Sequence, residues 1–180
     1  MWFSSFLLLQ VFATAILATP TVYLIRHGEK PADGDDGLNI KGEQRAQCLR
    51  EVFGIDSGYD IGKIIVQKPK KSGKRARPFL TVLPLSKDLQ LDIDTRCDRD
   101  DEDCVASLVS DFKASGSSGN ILICWEHKAL TDIAQALGNK NPPEYPKESF
   151  DLIWSDPYPY THITSSVSEK CEGLDNEPRD

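Results

Sequence analysis

The residues best equipped for chemistry stand together near the start of the chain. Arg26-His27-Gly28-Glu29 follow directly on the β-branched and aromatic run Thr21-Val22-Tyr23-Leu24-Ile25. A strand ending in this way sets a guanidinium fork beside an imidazole, and the glycine lets the backbone turn and a ligand come close. Arginine presents planar donors to an oxyanion, and a neutral imidazole can attack phosphorus, so a phosphate is the expected guest. A second apolar run ends alike, in Ile123-Cys124-Trp125-Glu126-His127. If both are parallel neighbours in an open sheet, their carboxyl ends form the ligand crevice, with His27 and His127 about one strand spacing, roughly 5 Å, apart. One imidazole then acts as nucleophile while the other, protonated, stabilises charge. Arg26 and an arginine from the basic loop Lys68 to Arg77 hold the non-bridging oxygens. Neither Ser nor Cys stands in a nucleophile elbow, which leaves histidine as the best nucleophile.

Positioning these groups requires strands alternating with helices, and the chain reads that way. Ala46, Leu49 and Phe53 recur on one helical face after a Gly/Asp loop over Pro31 to Gly37. Ile61 to Val66 is a short β-branched strand. Pro78 to Leu85 suits a helix with Pro in its first turn, and residues 101–113 an amphipathic helix with an acidic start. Asn120 to Trp125 predicts a strand, and Lys128 to Leu137 a helix closed by Gly138. Phe150 to Trp154 and Ile163 to Val167 are further strand candidates. This alternation predicts an α/β fold of three layers, a mostly parallel central sheet with helices on both faces.

With 180 residues and a net charge of -7, the chain suits one acidic domain with a core of its own. The charge argues against a nucleic-acid partner but not against a small phosphorylated substrate, since a pocket can oppose the global sign. Phe6 to Ala18 form an apolar run of signal-peptide length, too short to span a bilayer, with alanines placed for cleavage after Ala15 or Ala18. The expected organisation is a signal peptide over 1–18, one domain over 19–168 and a polar, mobile tail over 169–180, in a secreted protein without a membrane span. All five cysteines follow the leader. Cys97 and Cys104, flanking an acidic segment, are the expected disulfide; the pairing of Cys48, Cys124 and Cys171 stays open, with Cys124 suited to a buried site. No C-x-x-C spacing suggests a structural zinc, and no cofactor is expected.

The run Val22-Tyr23-Leu24-Ile25-Arg26-His27-Gly28-Glu29 resembles the signature of the histidine phosphatase superfamily, the phosphoglycerate-mutase-like proteins. Three more stretches resemble the same family in order: Leu38 to Ala46, Arg77 to Leu85, and Ile121 to His127. The resemblance implies that His27 forms a phosphohistidine and that Arg26, Arg77 and His127 line the phosphate pocket. Arg77 keeps the family's register to Thr81 and Pro84, whereas Arg75 does not. The resemblance also implies a carboxylate proton donor, for which Asp94, Asp98, Glu126 and Glu29 are candidates, Glu29 being better suited to orienting its loop. Two residues depart from the pattern. Trp125-Glu126 stand where the family has a small residue before the second histidine; the pair is expected to change the pocket, and Glu126 to raise the pKa of His127 by proximity.

The implied activity is a metal-independent phosphomonoesterase. The alternatives are a non-catalytic phosphate-binding relative and a phosphoglycerate-mutase-type phosphotransferase, and the alcohol of the ester stays open. The run Lys68 to Arg75 reads first as a solvated loop and second as an attractor for anions, and His162 as an ordinary loop histidine.

Overall fold

The computed structural model describes residues 19–175 apart from Asp33 and Asp35; the signal peptide expected over 1–18 and residues 176–180 lie outside the described residues. In chain order the elements are β1 (Thr21–Arg26), α1 (Ile40–Val52), β2 (Ile61–Val66), α2 (Arg77–Leu89), β3 (Ile93–Asp94), α3 (Glu102–Ala114), β4 (Asn120–Trp125), α4 (His127–Leu137), β5 (Leu152–Pro157) and β6 (Ser165–Ser168). The strands form one sheet in the order β3-β2-β4-β1-β5-β6. The pairs β3–β2, β2–β4 and β4–β1 are parallel, while β1–β5 and β5–β6 are antiparallel. The expected neighbours are therefore adjacent and parallel, with Arg26 opposite Trp125.

Side-chain alternation on the strands sorts the core into two layers. Leu24, Ile65, Ile121, Ile123 and Trp125 pack against Val105, Leu108, Leu130 and Ile133 of α3 and α4. Ile25, Ile64, Leu122 and Cys124 face the other way, onto Leu49, Phe53, Val82 and Leu85 beside α1 and α2. Each such aliphatic burial stabilises by about 1.5–3 kcal/mol, and the central strands are apolar on both faces because both are covered. Local chemistry starts and stops the helices. Asn39 accepts from the Gly42 amide at 2.9 Å, Asp101 accepts from the Cys104 amide at 3.1 Å, and Gly138 closes α4 at φ 130°.

Several boundaries differ from the sequence reading. α2 runs on through Pro84 to Leu89, and β5 and β6 each begin two residues later than expected. β3, two residues long, carries no periodicity that could announce it.

The tail reading needs correction up to Asp175. Arg45, 1% exposed, binds Glu29 at 2.8 Å, Glu169 at 2.5 Å and Asp175 at 2.9 Å, and a Cys48–Cys171 disulfide closes a 123-residue separation beside it. Burial works against the Arg45 cation, but hydrogen bonds and charge from Glu29 and Glu169 raise its pKa on balance. A cation buried at this depth fixes its carboxylates in turn, so residues 169–175 are packed structure rather than tail. The expected Cys97–Cys104 disulfide is present, and Cys124 is an unpaired, buried thiol on β4.

Asp156 on β5 is fully buried, and neither carboxylate oxygen has a partner among the described residues. Burial alone pushes its pKa from 3.8 up to about 7. An acid whose folded pKa is raised costs no stability below its unfolded value and destabilises progressively as pH rises towards the folded one. Asp156→Asn is therefore expected to gain about 1–3 kcal/mol over wild type above pH 7, and no such margin at pH 4. Thermal unfolding of both proteins between pH 4 and 8 checks this; parallel curves contradict it.

Candidate active site

β1 and β4 deliver their terminal residues to one edge. The His27 amide donates to the Trp125 carbonyl at 3.0 Å, carrying the pairing one residue past β1. The His27 ring is 5% exposed, and its Nδ1 lies 2.7 Å from the Gly28 carbonyl oxygen. A carbonyl only accepts, so Nδ1 carries the proton and Nε2 keeps the lone pair. Burial first, then the charges of Arg26, Arg77 and His127, lower the His27 pKa to about 4, against the Gly28 hydrogen bond that raises it. The imidazole is thus neutral at neutral pH and oriented by its backbone.

Thr81 joins this loop to the arginine that shares its cleft. The Gly28 amide donates to Thr81 Oγ1 at 2.9 Å, and the Thr81 hydroxyl donates to the Arg77 carbonyl at 2.8 Å. Arg77 opens α2, and its Nε donates to the Gly37 carbonyl at 3.2 Å. Gly28 also permits a close backbone contact that the sequence does not announce. A Cβ there would stand 3.0 Å from the Gly42 backbone, and one on Gly42 would stand 2.5 Å from the Glu29 carbonyl oxygen. The two glycines let the loop after β1 lie against the start of α1, a close approach of backbone to backbone.

Arg26 is 4% exposed and largely engaged. Its Nη1 donates to the carbonyls of Lys147 at 2.6 Å and Ser149 at 2.8 Å, and its guanidinium carbon lies 3.6 Å from the centroid of Phe150. Its Nε is a buried donor with no partner among the described residues. His127 opens α4 and is half-buried. Its pKa is lowered, by burial and then by Arg26, which together outweigh Glu126. Glu126 acts upward, as expected, but burial first and the Arg26 guanidinium second outweigh it, and the ring of the ligand-free protein is disposed to be neutral.

No protein-family model and no curated protein matches the chain. Solved structures do. The protein histidine phosphatase SixA complexed with tungstate aligns over 83% of this chain and 97% of its own, with a TM-score of 0.62 at 15% identity. A phosphoserine phosphatase from Entamoeba histolytica, in complex with 3-phosphoglyceric acid, aligns over the same shares with a TM-score of 0.51 at 14% identity. The fold is that of the histidine phosphatases.

On this histidine phosphatase fold, His27 and Arg77 line a cleft of about 210 Å³ together with Gln67, Arg75, Arg99 and Glu126. His127 faces a neighbouring depression of about 570 Å³ that includes Tyr145 and Lys147. The four residues named from the sequence are thus gathered at one sheet edge, with Glu126 and His127 on the two sides of the divide. Among the carboxylates, only Glu126 of the sequence candidates lines the cleft, with its Oε1 3.8 Å from Arg99 Nη1. Asp94 is removed as a donor: it sits on edge strand β3 between Arg96 at 2.7 Å and Lys63 at 2.8 Å. The Arg96 hydrogen bond, then Lys63, hold its carboxyl well below the usual range, so it has no proton to give. Asp98 is exposed and outside the cleft, and Glu29 is bound to Arg45.

Trp125 does not crowd the pocket as expected. It is fully buried in the α3–α4 layer, and its indole N–H donates to the Arg99 carbonyl at 2.9 Å. Gln67, Arg99, Asp36 and Phe150 escaped the sequence reading. Gln67 carried a usable signal, because it follows β2 at the same sheet edge. His162 is exposed and 3.2 Å from Thr161 Oγ1, in keeping with an ordinary loop histidine. Among the described residues no three His, Cys, Asp or Glu side chains cluster to hold a metal.

A direct check on the state of His27 is its titration. Imidazole NMR is expected to show His27 as the Nδ1–H tautomer across pH 5–8 with a midpoint near 4; a midpoint near 6.5 contradicts the buried, oriented ring.

Proposed function

We propose that this protein is a secreted, metal-independent phosphomonoesterase that works through a phosphohistidine on His27. The observation that carries the reading is the buried neutral His27, with Nδ1 held by Gly28 and Nε2 available, in one cleft with Arg77. Likeness in fold to two phosphatases, one of them holding tungstate, supports it. Two disulfides fit an oxidising compartment, and no helix among the described residues is long and apolar enough to cross a membrane.

His27 Nε2 attacks phosphorus in line, the N–P bond forming as the bond to the leaving oxygen breaks. Arg77 neutralises the equatorial oxygens beside the buried imidazole. Arg26, with its unpartnered Nε, adds positive potential beneath. A dianionic phosphate beside His127 favours its protonated form, reversing the tendency of the empty site. Glu126 gives its proton to the leaving alkoxide and takes one from the water that cleaves the N–P bond. Water, not a second alcohol, is the acceptor, which separates this reading from a mutase. The competing reading, phosphate binding without turnover, draws on the engagement of Arg26 Nη1 with two carbonyls.

His27→Ala is expected to lower the hydrolysis of aryl phosphates by at least about 10³-fold, and wild-type activity to persist in excess EDTA. Near-wild-type turnover by the variant, or loss of activity to chelation, contradicts the mechanism. Glu126→Gln is expected to cost an alkyl phosphate about 10²-fold in kcat and an aryl phosphate, with its better leaving group, much less. Equal losses on both esters remove Glu126 as the proton donor.

A further inference from the structure

The cleft beside His27 carries more positive charge than one phosphoryl group requires. Lys70, Lys74, Arg75, Arg77 and Arg99 line it against two carboxylates, Asp36 and Glu126. This stands out in a chain whose net charge is -7. Arg99 is shared with Glu126 and Asp100, and Arg75 lies 3.9 Å from Asp100. Lys70 and Lys74 have no carboxylate within ion-pair distance among the described residues.

The loop that carries them is a built feature. Buried Gln67 donates to the Arg75 carbonyl at 3.4 Å, and the Lys68 amide donates to the Cys97 carbonyl at 2.8 Å. The Lys70 amide donates to the Lys74 carbonyl at 2.8 Å and the Gly73 amide returns to the Lys70 carbonyl at 2.9 Å, closing a tight turn with Gly73 at φ 90°. Across the cleft, the Cys97–Cys104 disulfide and the Trp125 indole fix the backbone around Arg99. Gathering like charges costs free energy unless an anion occupies the space between them. Holding them in place beforehand lowers the cost of binding that anion.

We propose that Lys70 and Lys74, with Arg75, form a second anion subsite, and that the substrate is a small molecule whose leaving group carries a further phosphate. A cleft of about 210 Å³ suits such a compound rather than a folded partner. The proposal rests on the phosphatase reading for its chemistry but not for its binding.

A matched pair, propanediol monophosphate and propanediol bisphosphate, tests it. Wild type is expected to favour the bisphosphate at least about tenfold in kcat/KM, a preference that shrinks with added salt. In the double variant Lys70→Gln/Lys74→Gln the preference should fall below about threefold, mostly through loss on the bisphosphate. Calorimetry on His27→Ala protein, which needs no turnover, is expected to show tighter binding of the bisphosphate that the same double substitution abolishes. Hydrolysis of both esters at equal efficiency, unchanged by the lysine substitutions, overturns the subsite and leaves the phosphatase standing. Lysine-dependent binding without any turnover supports the subsite and overturns the phosphatase. Neither binding nor turnover overturns both.

Discussion

The parallel pairing of β1 with β4 is the constraint on which the site depends. It sets Arg26 opposite Trp125, so the residues that follow, His27 on one strand and Glu126-His127 on the other, emerge at the same edge. The strands that do this are apolar on both faces and covered by two pairs of helices. The same burial that stabilises the sheet desolvates His27, and desolvation is the leading cause of its lowered pKa. Fold stability and the neutral state of His27 thus share one physical source.

Around that pairing, three tethers fix the loop after His27. Thr81 links the Gly28 amide to the start of α2, and so links His27 to Arg77. Gly28 and Gly42 remove the side chains that would otherwise separate the loop from α1. Glu29 is held by Arg45, whose other carboxylates come from Glu169 and Asp175 beside the Cys48–Cys171 disulfide. Residues 169–175 are thereby connected to the residue two places after His27, and a disulfide closing so long a loop contributes on the order of 2–5 kcal/mol.

The placement of the candidate residues was legible wherever the pattern is local. Arg26-His27 and Glu126-His127 end apolar runs, and Cys97–Cys104 spans only 7 residues, so short-range pattern sufficed. The family resemblance placed Arg77, and the structure puts it in the His27 cleft. The Arg45 cluster and the Cys48–Cys171 bond were not legible, because contacts across 123 residues leave no periodicity and residues 169–175 look polar in isolation. The direction of the His127 shift needed distances, since Glu126 is its sequence neighbour but Arg26 acts more strongly through space. Trp125 could have been read better: the alternation with Ile121 and Ile123 already turns it towards the α3–α4 layer.

In the proposed mechanism a single, backbone-oriented nitrogen of His27 receives the phosphoryl group. Rapid quenching of wild-type protein with an isotopically labelled phosphate ester, followed by mapping of the phosphorylated atom by NMR, addresses it most directly. The geometry predicts label on Nε2 of His27, stable to base and labile to acid, because Nδ1 is spent on the Gly28 carbonyl. Label on Nδ1, on any other residue, or nowhere in a protein that is turning over substrate would contradict it.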